Sequence, residues 1–347
     1  MAHLSPTLRS FVVSSLLLTA LQSSLILRAD AHHSMSMYDT QREITIDGSV
    51  TSIEWANPHV YIRIVQVTTG KRIDWELQGE SPGILRRGGW LKDSLRIGDH
   101  IVVSGYPARD VNQHGIYPTL VRLGTTTLYD FQHRLEPLER AGPAPEVGAM
   151  GVSGTWVTLL NLPVITRLEE PETDRLTPEG LQAVKSYDER TRKSEINCVP
   201  TPAPFFMVAP DIKRVTVAAG LIRIESEFAA AQREVHLDET AHAGSLPSIE
   251  GHSIGRWDGK RLVIDTANFA FHSEGNGDYL PSGPHKHLLE TLTPSPDGHS
   301  LTYHFEMTDP EFFTGTISGE AQWVYQPNVT FEYDKCRLED ARHFLRK

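Results

Sequence analysis

Short runs of alternating apolar and polar residues follow one another from Ile44 to Leu123. Five of them have strand length, with glycines at or between them: ITIDGSVTSIEW, VYIRIVQV, RIDWEL, HIVVSGY and IYPTLVRL. Between the third and fourth runs, SPGILRRGGW begins with a serine that can cap a helix and a proline suited to its first position. Three strands, a helix and two strands is the order of an oligonucleotide/oligosaccharide-binding (OB) type barrel. We therefore predict a small OB-like, five-stranded β-domain over residues 32–123.

A second region of alternating residues follows a linker, which we assign to residues 124–153 because LERAGPAPEVGAMGVSG is rich in Pro, Gly and Ala and has no regular period. The segment LTPEGLQAVKSYDERTRK predicts one longer helix, capped by Thr177 with Pro178 at the first position. Seven strand-like segments follow: VTVAAGLIRIESEF, REVHLD, HSIGRWDG, RLVIDTANF, KHLLETLTPS, SLTYHFEMTD and EAQWVYQ. This pattern predicts a mainly β chain whose residues 154–347 form a larger antiparallel, lipocalin-like barrel that can hold one small ligand.

The amino terminus has the features of a secretory signal peptide over residues 1–31. Arg9 supplies a positive charge, residues 11–27 are mostly apolar, and Ala29-Asp30-Ala31 fits the small-x-small cleavage rule. Polar residues 22–24 interrupt the apolar stretch and make it a poor membrane span, although an uncleaved anchor helix is the alternative. No later segment is long and apolar enough to cross a bilayer. We therefore expect a periplasmic or secreted protein without a membrane span after processing.

The charge balance argues against one class of partner. Acidic residues outnumber basic ones by 44 to 33, which gives a formal net charge of −11. Such a surface repels phosphate backbones, so we expect no nucleic-acid binding.

The two cysteines, Cys198 and Cys336, predict one disulfide bond, because disulfides persist in exported proteins. Two inert buried thiols or a metal-binding pair are the alternatives. A bridge would close a long loop and, in the chain-entropy model, stabilise the folded protein by about 4–5 kcal/mol.

Polar residues that could carry chemistry concentrate in the predicted second barrel. His252, Asp265 and His304 are candidate acid–base catalysts if they meet, and the candidate ligand-binding residues are Arg256, Trp257 and Asn268. Alternatively, Arg256 forms a buried ion pair with Asp258 or Asp265 that only stabilises the hairpin.

Histidine pairs suggest two metal sites. If cleavage follows Ala31, the α-amino group and imidazole of His32 can chelate one ion together, with His33 beside them and His59 of the first barrel as a further candidate ligand. Nitrogen ligands of this kind favour Cu(II). The alternatives are a terminus without function and a structural His59 that follows the Asn57-Pro58 turn. In HKHLLE, His285 and His287 share one strand face, which suits a metal, but exposed edge-strand histidines are the alternative.

Three segments resemble a bacterial exported family of unknown function with the pattern AHHS…YD, W-x-NPH and GW…GD…G-x-P-x-RD. They are AHHSMSMYD, WANPHV and GWLKDSLRIGDHIVVSGYPARD, so the resemblance covers residues 31–123. In the second half, INCVPTPAP, GHSIGRWDGKRLVIDTANF and YDKCRLED are similar to uncharacterised proteobacterial exported proteins. The resemblance implies export, names no activity, and agrees with a bridge because each cysteine lies in one of the similar segments.

These patterns predict an exported binding or accessory protein with copper at the mature amino terminus and a small molecule in the C-terminal barrel. The alternative is a periplasmic hydrolase or isomerase that uses His252, Asp265 and His304. We find no phosphate-binding glycine loop, no serine-hydrolase elbow and no HExxH motif.

Overall fold

The computed structural model describes residues 37–133, 151–159, 164, 172–242, 244, 246–277, 279–333 and 336–343. In these ranges the fold is mainly β and consists of two closed barrels. The predicted signal peptide, His32, His33 and residues 134–150 of the predicted linker lie outside the described residues.

The first barrel consists of β1 (Ile44–Glu54), β2 (Tyr61–Thr68), β3 (Lys71–Gln78), β4 (His100–Pro107) and β5 (Gly115–Leu123). Helix α1 (Pro82–Arg87) lies between β3 and β4, and the Ser81 side chain accepts a hydrogen bond from the Ile84 N–H. β1 pairs with β2 and β4, and a parallel contact between β3 and β5 closes the barrel. This order confirms the five-stranded prediction. A sixth strand, β6 (Thr126–Asp130), pairs with β5, so regular structure continues into the segment that we assigned to the linker.

The second barrel has nine strands, two more than the sequence pattern suggested. They are β7 (Gly154–Thr158), β8 (Ile212–Ala218), β9 (Leu221–Ser226), β10 (Gln232–His236), β11 (His252–Asp258), β12 (Arg261–Ala267), β13 (His287–Pro294), β14 (Ser300–Thr308) and β15 (Ile317–Tyr325). One segment predicted as a single strand is the β8–β9 hairpin, because Gly220 takes a φ of +76° and lets the chain turn. The larger barrel is confirmed, but β10 and β11 are parallel, so the barrel is not a continuous antiparallel meander.

The helices among the described residues are short. Besides α1 they are α2 (Pro178–Lys185), α3 (Glu189–Arg192), α4 (Phe205–Val208) and α5 (Leu338–Ala341), with 3-10 turns at Thr173–Arg175, Glu195–Asn197 and Phe228–Ala230. In the part of the chain that the structure describes, no helix combines the length and apolarity that a bilayer crossing requires.

Helix α2 begins as the sequence predicts, and this start can be tested. The Thr177 hydroxyl accepts a hydrogen bond from the Gly180 N–H at 3.0 Å and donates one to the Glu311 carbonyl at 2.6 Å. We expect Thr177→Ala to lower the free energy of unfolding by about 1 kcal/mol, because it removes the cap. Chemical denaturation measures the loss, and Thr177→Ser, which keeps the hydroxyl, should retain most of the stability. Equal losses in both variants would show that the methyl group, not the cap, matters.

Side chains fill the inside of the second barrel. Those with no exposed surface include Trp156, Ile224, Val235, Leu262, Ile264, Leu288, Leu301, Tyr303 and Trp323. These side chains belong to one cluster of buried hydrophobic residues. The small ligand expected in this barrel stays a prediction.

A polar network crosses this core from strand to strand. Arg233 forms two hydrogen bonds with Glu290, both at 2.8 Å, and the two side chains are 1% and 0% exposed. Arg233 also donates to the Ser253 and Thr266 hydroxyls at 2.8 and 2.9 Å, and Tyr303 donates to Glu290 at 2.8 Å. These residues lie on β10 to β14 and join five consecutive strands from the inside. Arg233 and Glu290 thus form a buried ion pair inside the barrel. Arg256, which the alternative interpretation placed in a buried ion pair, is exposed.

The two barrels contact each other within one compact unit, His33–Lys347. Two neighbouring side chains of α1 reach the second barrel: Arg86 pairs with Glu227 at 3.0 Å, and Arg87 donates to the Thr158 carbonyl at 2.9 Å. The disulfide Cys198–Cys336 is present, with its Cα atoms 5.5 Å apart. It confirms the predicted bridge and ties the carboxyl-terminal segment to the chain that precedes β8.

Candidate metal centre on the second barrel

The parallel pairing of β10 and β11 creates the candidate site. Because parallel strands cannot be joined by a tight hairpin, the chain must return from the end of β10 to the start of β11, and residues 237–251 make this connection. Asn268, which follows β12, donates a hydrogen bond from its side chain to the His242 carbonyl at 3.0 Å. This contact holds the connection against the outer face of the barrel.

Three side chains converge at this place with donor atoms that suit a metal ion. His236 ends β10, His252 begins β11, and Glu239 lies in the connection between them; one ligand atom from each lies within 4.8 Å of the others. The Glu239 carboxylate oxygens are 3.4 Å from His236 Nδ1 and 3.1 Å from His252 Nε2. In a tetrahedral site with metal–ligand bonds of 2.0–2.1 Å, neighbouring ligand atoms are about 3.3–3.4 Å apart. The three residues can therefore bind one ion after small side-chain movements.

A second layer of residues orients His252. Its Nδ1 lies 3.0 Å from Nδ1 of His242, and Nε2 of His242 lies 3.2 Å from the Asp265 carboxylate, which also contacts His287 Nε2 at 2.8 Å. If Nε2 of His252 binds a metal, its Nδ1–H donates to His242, and the Nε2–H of His242 donates to Asp265. Each contact then joins one donor to one acceptor with every imidazole neutral. Metal-binding histidines characteristically have such a partner on the other ring nitrogen.

The electrostatic environment keeps His252 available as a ligand. Burial, helped by His236 and His242, lowers the pKa of His252, although Glu239 opposes the shift. A lower pKa favours the neutral imidazole, the form that binds metals. The Glu239 side chain is 42% exposed, so an ion can reach the site from solvent.

The predicted catalytic residues are only partly brought together. His252 and Asp265 lie on the outer faces of β11 and β12, and both contact His242. His304 lies on the outer face of β14 opposite Thr291 and Glu320. His304 lies two strands away from Asp265 and two residues along the strand from the position level with it. The strand spacing and rise put the two backbone positions about 12 Å apart. The three residues therefore do not form one acid–base site.

The predicted ligand-binding residues have three different positions. Arg256 is exposed on the outer face of β11, two residues from His252 on the same face. Trp257 points inward and packs against the core, where its Nε1 is buried without a hydrogen-bond partner among the described residues. Asn268 contributes to the site by holding the His242 loop.

His59 lies apart from this cluster, in the first barrel. Its Nδ1 is 3.1 Å from the Gly79 carbonyl, and burial lowers its pKa. Its proposed metal partners His32 and His33 lie outside the described residues, so the amino-terminal copper chelate remains a prediction. Of the HKHLLE histidines, His287 contacts Asp265, whereas His285 is exposed before β13 begins.

His236, Glu239 and His242 were not among the site residues predicted from the sequence. They are spaced three residues apart in HLDETAH, and this spacing of possible metal ligands was the only local sign of a site in that segment. It was not sufficient, because the segment leaves a strand and enters a connection whose course depends on the parallel pairing of β10 and β11.

The fold and the cluster define a disulfide-linked protein of two β-barrels with a histidine–carboxylate site on the outer face of the second. Residues 21–117 match the model of a family of unknown function (DUF6152). The match includes β1 to β4 and overlaps residues 31–123, where the resemblance was seen, but it does not reach His236, Glu239 and His252. No curated protein matches the chain.

Proposed function

We propose that this is an exported binding protein for one divalent transition-metal ion, bound by His236, Glu239 and His252. The observation that carries the proposal is the convergence of these three ligand atoms within 4.8 Å. The contact of His252 with His242, and of His242 with Asp265, adds the orienting layer that metal-binding histidines have.

The donor set indicates the class of metal. Two imidazoles and one carboxylate suit Zn, Cu, Ni or Fe better than Mg or Ca, which prefer oxygen ligands. Three protein ligands leave at least one coordination position for water or for a group from a partner. A site that is open to solvent and incompletely coordinated suits a protein that takes up or passes on an ion.

Export is part of the proposal. The disulfide and the signal-like amino terminus both suit an oxidising compartment. The separate His32–His33 chelate would add a second metal site, whereas the hydrolase or isomerase alternative gains no support from the position of His304.

Metal titration tests the site directly. We expect untagged protein carrying His32→Ala and His33→Ala to bind one Co(II) or Zn(II), with Co(II) absorption reporting a tetrahedral or five-coordinate site. In this background His252→Ala should weaken binding by more than the roughly 100-fold that loss of an orienting partner can cost, because it removes a ligand. Asp265→Asn should weaken it by about 10–100-fold, because it removes only the orienting layer.

His304→Ala is the matched control, since His304 is also an outer-face histidine of the same barrel. It should leave the affinity unchanged. If His252→Ala and His304→Ala have the same affinity, or if the background protein binds no ion, the proposed function is wrong.

A further inference from the structure

The carboxyl-terminal segment crosses to the first barrel as a strap, which we define as residues 336–343. The disulfide to Cys198 holds its start, and Cys336 forms a β-bridge with Asn57. Its far end is held by Arg342, whose Nε donates to the Ile196 carbonyl at 3.1 Å. These contacts place the last described residue, His343, on the outer face of β1, β2 and β3.

His343 is bound in this position as a ligand would be. Its ring stacks on Tyr61, with centroids 4.2 Å apart and an interplanar angle of 25°. Its Nε2 is 3.1 Å from both carboxylate oxygens of Glu76, and its Nδ1 is 4.0 Å from Glu54. The His343 and Glu76 side chains are 13% and 15% exposed, so the contact is largely shielded from solvent.

The surface beneath His343 is built independently of the strap. Arg63 lies between the two carboxylates, 3.2 Å from Glu54 and 3.1 Å from Glu76, and so holds both in place. The register puts Tyr61 opposite Glu54 and Arg63 opposite Glu76. An aromatic face flanked by fixed carboxylates favours a planar group that stacks and donates N–H hydrogen bonds, and it repels phosphate.

We propose that Tyr61, Glu76 and Glu54 form a binding site for the imidazole of a peptide histidine, which the protein fills in cis with its own His343. The strap is tethered through the disulfide, and tethering raises the effective concentration of His343 at the site. A histidine from another chain therefore gains access only when the strap is displaced. This proposal is independent of the metal centre, because it uses none of its residues.

Chemical complementation in the full chain tests the recognition. We expect His343→Ala, with the disulfide intact, to bind N-acetyl-histidine methylamide in a saturable way, measured by NMR from the signals of the probe itself. The affinity should be at least tenfold higher than for N-acetyl-phenylalanine methylamide, which is planar but has no ring N–H. Wild-type protein should bind neither probe, and adding Tyr61→Ala to His343→Ala should abolish the binding.

Two results of this experiment would overturn the proposal. One is equal affinity for the histidine and phenylalanine probes, which would indicate an apolar pocket that does not recognise the ring N–H groups. The other is the absence of saturable binding to a folded His343→Ala protein.

A second arm asks whether a peptide can use the site in trans. A labelled peptide copying residues 336–343 and carrying Cys336→Ser should bind full-length Cys198→Ser/Cys336→Ser protein at least tenfold more tightly than the disulfide-bonded protein. The same peptide with His343→Ala should not bind. Equal binding to both proteins would refute occupancy in cis, and if the serine variant fails to fold, the first arm decides alone.

Discussion

Replacing both Cys198 and Cys336 by serine is expected to lower the free energy of unfolding by about 5 kcal/mol. The bridge joins residues 138 positions apart, so it removes much of the conformational freedom of the unfolded chain. In the folded protein Cys336 also bridges to Asn57, and the Cys198 N–H donates to the Glu195 carbonyl. Any freedom that the strap gains in the folded variant would make the measured loss smaller than this value.

Urea denaturation of the oxidised wild type and the double serine variant measures this difference. Wild-type protein with its disulfide reduced serves as the control and should resemble the variant. A loss below about 1 kcal/mol would mean that the loop is already restricted in the unfolded chain, contrary to the chain-entropy account.

Arg233→Met is expected to cost about 3–5 kcal/mol, because it leaves the Glu290 charge buried without its partner. Glu290 has no exposed surface and receives two hydrogen bonds from Arg233, so water cannot replace the lost contacts. Ser253 and Thr266 lose their Arg233 donor as well. The double variant Arg233→Met/Glu290→Met should recover part of the loss, since it removes the isolated charge.

Arg223→Met provides the matched control. Arg223 lies on the adjacent strand β9 and pairs with Glu234 at 2.6 Å, but its side chain is 46% exposed. Solvent screens this pair, so its removal should leave the denaturation midpoint almost unchanged. Equal destabilisation by the two substitutions would contradict the role assigned to burial.

The buried network and the candidate metal centre occupy opposite faces of the same strands. Arg233 and Ser253 point inward from β10 and β11, whereas His236 and His252 lie on the outer faces. Because the inner hydrogen bonds hold these strands together, the two histidines are presented from a rigid support. Sites on strands are held more accurately than sites on loops, and here only Glu239 and His242 come from the connection.

Much of the architecture could be predicted from local patterns. Alternation located β1 to β5, and the order of elements around α1 indicated the first barrel. Thr177 and Pro178 marked the start of α2 because capping depends on neighbouring residues alone. The disulfide followed from the cysteine count and the expected compartment.

The candidate site could be predicted only in fragments. Side chains alternate between the two faces of a strand, so His252 and Arg256 share one face. The alternation does not show whether that face is inside or outside the barrel. It also gave no reason to connect His252 with Asp265 through His242, which lies in an irregular segment. His304 has the same local character as His252 but lies two strands away from Asp265.

By itself, the sequence determined most of the segments that become strands, where α2 begins and which cysteines are available to pair. These properties depend on interactions between residues that are close along the chain. The tertiary structure decided that Arg233 and Glu290 pair inside the barrel, that His236, Glu239 and His252 converge outside it, and that His343 reaches Tyr61. Each of these contacts depends on the pairing and register of distant strands or on the return of a long connection, which local periodicity does not specify.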